Sequence, residues 1–184
     1  MRKTGEIKRF RRLAVTALLL TAAFILSWLE MLLSVPMPVP GIKIGLANIA
    51  ILFTLYYLDG MAALTVLTGR LVLSSLLFGN AAALIFSAAG GFLSLAVMCI
   101  GQHLFRRHII MVSILGGVFH NIGQLAAASA VLSTPLWWYL PYLIIGGIAA
   151  GAFNGWLVSR ILRCKVFSDT KKSADKSLIP HEGE

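Results

Sequence analysis

The chain has 184 residues, of which 58% are hydrophobic and only 12% charged, with a formal net charge of +9. A soluble domain is about half apolar and about a quarter charged; here the apolar residues gather in blocks of about 17 to 27, enough to cross a hydrocarbon core of about 30 Å. This excludes an ordinary soluble domain and implies an all-α, polytopic membrane protein, and because the basic residues flank the apolar blocks, nucleic acid is not the partner they serve.

Residues 1–12 are a basic stretch carrying Arg2, Lys3, Lys8, Arg9, Arg11 and Arg12, and a first helix is predicted over 13–35. That block is longer than the apolar core of a signal peptide and lacks a small-residue cleavage site, so it reads as a retained helix. Pro36, Pro38 and Pro40 in PMPVPGIKIG end it. A short second helix over 44–58 closes at Asp59-Gly60, and a third over 61–77 is followed by Phe78-Gly79-Asn80. The fourth, 81–105, contains Gly90-Gly91; the fifth spans 109–133 and the sixth 137–162. The domain predicted to lie in the membrane is thus 13–163, and the polar tail 164–184 reads as disordered, at least from Ser168 onward.

Six crossings with a cytoplasmic N-terminus return the C-terminus to the cytoplasm. Fourteen of the sixteen Lys and Arg residues then face the cytoplasm, leaving Lys43 and Arg70. In this N-in, C-in arrangement Trp28, Trp137, Trp138 and Tyr139 approach the outer interface, where amphipathic rings are favoured. Cys99 and Cys164 have no metal-ligand spacing and read as structural thiols.

The intramembrane polar residues are then placed by depth. Glu30 falls near the outer leaflet, Lys43 in the outer loop, Asn48 in the first turns of the second helix and Asn80 at an outer turn. Arg70 sits near the middle of the third helix, and His120, Asn121 and Gln124 near the middle of the fifth. Nearly all lie between the midplane and the outer surface, with Asp59 the exception. A proton path needs polar groups through the whole thickness; this pattern predicts an outward-facing pocket with a dry floor. A central arginine opposes insertion by about 2.5–3.5 kcal/mol and must find acceptors. Either Arg70 bridges Glu30 and locks two helices together, or it contacts a ligand. Gly116, His120, Gly123, Gln124 and Ala127 share one helical face, suited either to a ligand or to helix–helix hydrogen bonding. PMPVPGIKIG, stiff at its prolines and free at Gly41 and Gly45, is either a lid carrying Lys43 or a connector.

His120 has no second ligand at metal spacing. Asp59, Asp169 and Asp175 are scattered, and no diphosphate–Mg²⁺ motif, GxSxG, HExxH or Walker A loop occurs. The sequence therefore predicts no catalysis, no metal and no cofactor.

Three segments, PVPGIKIGLANIAILFTLYYL, GRLVLSSLLFGNAAALIFSAAGGFLSLAVM and GGVFHNIGQLAAASAVL, resemble a family of small bacterial membrane proteins. It is labelled Gx transporter or heptaprenyl diphosphate synthase component I, and the resemblance covers about residues 10–163. The family is similar to the substrate-binding S components of energy-coupling-factor importers. The resemblance implies six helices, location in the bacterial cytoplasmic membrane, an outer pocket for a small molecule, and partners in a membrane scaffold and ATPase subunits. The synthase label implies instead a non-catalytic membrane partner of a trans-prenyl synthase. S components dock through Ala-x-x-x-Ala in the first helix; here Ala14, Ala17 and Thr21 offer small-xxx-small spacing without the strict motif.

Overall fold

A computed structural model of the chain describes residues 2–33, 45–78, 81–105 and 108–164. Lys43, Asn80, Arg106, Arg107 and the tail from 165 lie outside the described residues. Among those described there are six α-helices and no strand: α1 (Arg2–Leu33), α2 (Asn48–Tyr57), α3 (Gly60–Phe78), α4 (Ala81–Leu104), α5 (Ile109–Leu132) and α6 (Leu140–Arg163), the last entered through a 3-10 turn at Trp137–Tyr139. All except α2 are long and apolar enough to cross a membrane.

Two boundaries differ from the sequence expectation. The basic stretch 1–12 is not separate from the first helix, because α1 is continuous from Arg2; seven of the eleven residues from Arg2 to Arg12 are Lys, Arg or Glu, which are good helix formers and outweigh Gly5. The second helix begins at Asn48 and not at 44, because Gly45 stands at φ +93°, in the left-handed region, and a turn follows at Leu46-Ala47. With 10 residues, α2 spans about 15 Å, half the hydrocarbon thickness.

Two tethers fix where α2 runs. The Gly45 N–H donates to Glu30 Oε1 near the end of α1, and the Arg12 guanidinium pairs with Asp59 just past the end of α2. Gly45–Tyr57 therefore lies antiparallel to α1 and carries the chain back to the basic end. The short helix is enclosed: Asn48 to Leu55 are all buried, and α1, α3, α4 and α6 pack around it. At its far end Gln102 Nε2 donates to the Leu55 carbonyl, 3.1 Å away, satisfying a group that an isolated helix terminus leaves open.

The remaining helices also alternate in direction. Gly60 of α3 lies against Cys99 of α4, and Gly91 of α4 against Leu67 and Arg70 of α3. Gly90 meets His120, and Gly101 meets Val112, which runs α5 antiparallel to α4. Between α5 and α6 the contact is backbone on backbone. A Cβ at Gly151 would stand 2.6 Å from the Ser113 carbonyl oxygen and one at Gly155 2.7 Å from Ile110 Cα, while Gly147 and Gly117 face each other. Gly147, Gly151 and Gly155 recur every four residues, the small-residue spacing that lets membrane helices approach closely.

Candidate functional site

The chain folds a left-handed glycine into the middle of an apolar bundle, and the polar side chains converge on it. Gly45 is buried; its N–H is taken by Glu30, and its carbonyl accepts Asn48 N–H at 3.0 Å and Asn154 Nδ2 at 3.3 Å. Irregular backbone inside a membrane persists only where other groups satisfy it, and α1, α2 and α6 each supply one here. A Cβ at Gly45 would lie 3.1 Å from Asn48 Nδ2 and 3.5 Å from His120 Cδ2. Glycine is therefore required both by the backbone angle and by the imidazole beside it.

Arg70 is 4% exposed, facing the bundle interior as its cost in hydrocarbon demands. Its Nη1 donates to Ser27 Oγ at 3.0 Å. Glu30, one turn beyond Ser27 on α1, presents its negative charge to the guanidinium while holding Gly45. The carboxylate thus serves two elements, an electrostatic partner for α3 and an acceptor for the chain entering α2.

Gly90-Gly91 lets α4 pass between the cation and the imidazole. A Cβ at Gly90 would meet Gln124 Cγ and the His120 carbonyl oxygen, each at 2.7 Å, and one at Gly91 would stand 3.5 Å from Arg70 Nη2. Arg70, His120 and Gln124 therefore occupy the same turn of α4, and Gly45 and Asn48 adjoin His120. Buried polar atoms remain after these bonds: Asn48 Oδ1, Asn154 Oδ1 and Arg70 Nε have no hydrogen-bond partner among the described residues. Buried polar groups in folded proteins are paired in the great majority of cases; Asn48 and Asn154 adjoin Gly45 and Arg70 is linked to it through Glu30, while Tyr56, Ser74, Ser94 and Asn121 also keep an unpartnered buried atom among the described residues.

Asn121 stands apart from this group. Its Nδ2 donates to the Leu143 carbonyl of α6 at 2.7 Å, tying α5 to α6 on a different face from His120. Gly116 and Gly123, on the face of His120 and Gln124, pack against Met98 and Ser94 and against Ala89-Gly90 respectively, so much of that face is an α4–α5 contact. Ala14, Ala17 and Thr21 are on the exposed side of α1, with Thr21 Oγ1 donating to the Ala17 carbonyl at 3.0 Å. Ser27 and Asn154 complete the cluster without having been singled out from sequence, and Gly45, read there only as a point of freedom in the loop, is its centre. Ser27 shares a helical face with Glu30 at i, i+3, and Asn154 is a polar residue beside the glycine stripe of α6, so both carried a usable signal.

A bundle with five membrane-length helices, a short helix enclosed within it and a buried polar cluster defines a multi-pass membrane protein. Within that class, a family model described as heptaprenyl diphosphate synthase component I matches residues 19–161, and the chain belongs to this family. Neither a curated protein nor a solved structure matches it.

Proposed function

We propose that the chain is a non-catalytic, substrate-binding subunit of an energy-coupling-factor-type importer, taking a small polar or anionic molecule at the cluster around Gly45. The observation that carries this reading is the set of unpartnered buried atoms on Asn48, Asn154 and Arg70. Arg70 and the amino end of α2 both favour negative charge, and His120, Gln124 and Glu30 add hydrogen-bonding groups. Lys43 and Asn80 would close the site from the outer side, and Asn121 would support it through its tie to α6. Ala14, Ala17 and Thr21 form the surface offered to a membrane scaffold, with ATPase subunits bound beyond it. Charge asymmetry supports both termini facing the bacterial cytoplasm.

The family match favours a second reading, a membrane component that holds a trans-prenyl synthase subunit for isoprenoid diphosphate synthesis. One experiment separates the two. The full chain is purified from membranes, and its co-purifying proteins and small molecules are identified by mass spectrometry. Import predicts a bound small molecule and ATPase subunits; the second reading predicts a prenyl synthase subunit and no small molecule. Removing one member of a buried charge pair leaves the other uncompensated, whereas replacing both is often tolerated, so the double variant Arg70→Met/Glu30→Gln is expected to remain folded while losing about tenfold or more in ligand retention. Unchanged retention in this variant overturns the role of Arg70.

A further inference from the structure

The glycine stripe of α6 does not stop at Gly155. The same four-residue step continues to Ser159 and Arg163, whose side chains occupy the line that the glycines leave bare. There a groove of about 400 Å³ opens between α5 and α6, lined by His108, Ile109, Ile110, Met111, Ile114, Ser159 and Arg163. It lies at the end of the bundle shared with Arg12 and Asp59, because Gly60 meets Cys99 and Gly101 meets Val112.

The charge around this groove is one-sided. From residue 60 to residue 168 the sequence contains no Asp and no Glu, while Arg160 and Arg163 stand in the last turn of α6 at this end. Arg160 lies over the Trp156 ring at 5.7 Å. Arg163 makes no ion pair among the described residues. The countercharge for the groove must therefore come from outside this part of the chain. Its lining joins the apolar side chains of Ile109, Ile110, Met111 and Ile114 to Arg163 and His108, which suits a molecule with a phosphate head and a hydrocarbon tail.

We propose that this groove is a binding site for an anionic phospholipid of the adjoining leaflet. Arg163 and His108 hold the phosphate, Ser159 Oγ being committed to the Trp156 carbonyl at 2.7 Å, and the acyl chain lies along Ile110, Met111 and Ile114. Basic pockets between helices on the cytoplasmic side select such headgroups through charge and hydrogen bonding together. The site is separate from the Gly45 cluster and stands whether or not that cluster binds a ligand.

The test uses the full-length protein extracted into mild detergent with equal phosphatidylglycerol and phosphatidylcholine, and bound lipid is counted by native mass spectrometry. The wild type is expected to retain phosphatidylglycerol preferentially. Arg163→Gln lowers that retention by about fivefold, Met111→Trp lowers it by filling the groove, and Arg160→Gln leaves it near the wild-type level. Equal retention of the two lipids overturns the proposal, as does wild-type retention in both Arg163→Gln and Met111→Trp. An equal loss in Arg160→Gln reduces the effect to general interfacial charge and also overturns it. Equimolar geranylgeranyl diphosphate is expected to leave the phospholipid bound; displacement would assign the groove to a prenyl diphosphate instead.

Discussion

The two halves of the bundle are held together in different ways. In α4, α5 and α6, glycines bring backbone against backbone: Gly123 on Ala89 and Gly90, Gly151 on Ser113 and Ile114, Gly155 on Ile110. In α1 to α3 the contacts are made by side-chain tips and polar tethers. A Cβ at Gly69 would meet only the Leu20 methyls, the closest at 2.9 Å, and the rest of the α1 attachment includes Ser27 to Arg70, Glu30 to Gly45 and Arg12 to Asp59. Backbone has nowhere to yield, whereas a leucine tip turns aside. The half containing α4–α6 is thus a fixed frame, and α1–α3 is a part that can adjust against it. The Gly45 cluster lies along the seam, drawing Asn154 and His120 from the frame and Glu30, Asn48 and Arg70 from the adjustable half.

Five substitutions break or sharpen that contrast, from the largest expected effect to the smallest. Gly151→Val places a branched side chain against the α5 backbone and is expected to cost about 3 kcal/mol, read as loss of folded protein in a detergent unfolding titration. A variant as stable as the wild type would mean that the frame is not rigid. Gly45→Ala puts a Cβ at φ +93°, at a cost of about 1–2 kcal/mol, and pushes on His120. If α2 is docked through this residue, the added instability appears in hydrogen exchange of Asn48–Leu55 before that of α5.

At the opposite end, Asp59 does two things, pairing with Arg12 and accepting Ala62 N–H at 2.8 Å in the first turn of α3. Asp59→Ala removes both and is expected to cost about 1 kcal/mol more than Arg12→Ala, which leaves the cap in place. The ion pair is half in solvent, with side chains 54% and 43% exposed, so Arg12→Ala is expected to cost about 0.5 kcal/mol. Equal effects of the two would show that the cap contributes nothing. Gly69→Ala is the smallest change and the inverse of Gly151→Val. Helix propensity favours alanine by about 1 kcal/mol, and Leu20 can move, so the melting temperature should hold or rise. A clear fall would place backbone-level packing in this half too.

Much of the bundle was legible because proline, glycine and charge punctuate long apolar runs, and hydrocarbon allows few alternatives to a helix there. The face carrying Gly116, His120, Gly123, Gln124 and Ala127 was legible from spacing alone; the first four are buried and Ala127 is half-buried. What that face meets was not. Asn121 is adjacent to His120 in sequence yet points at α6, because neighbouring residues on a helix are turned about 100° apart. Glu30 was readable as a charge within reach of Arg70, but its hydrogen bond to Gly45 depends on a turn that no periodicity announces. The α6 glycines stand in plain i, i+4 spacing; only their packing on Ser113 and Ile110 shows that this stripe, and not another, is the closest seam.

By itself, then, the sequence determined the membrane as solvent and the number of helices, because burial energy in hydrocarbon is set residue by residue. Only the tertiary structure decided that a ten-residue helix is swallowed by the others, that a left-handed glycine becomes the meeting point of Glu30, Asn48, His120 and Asn154, and that α5 and α6 part at Ser159. Those outcomes depend on which backbones approach closely enough to exclude a Cβ, a property of pairs of helices that no single stretch of sequence contains.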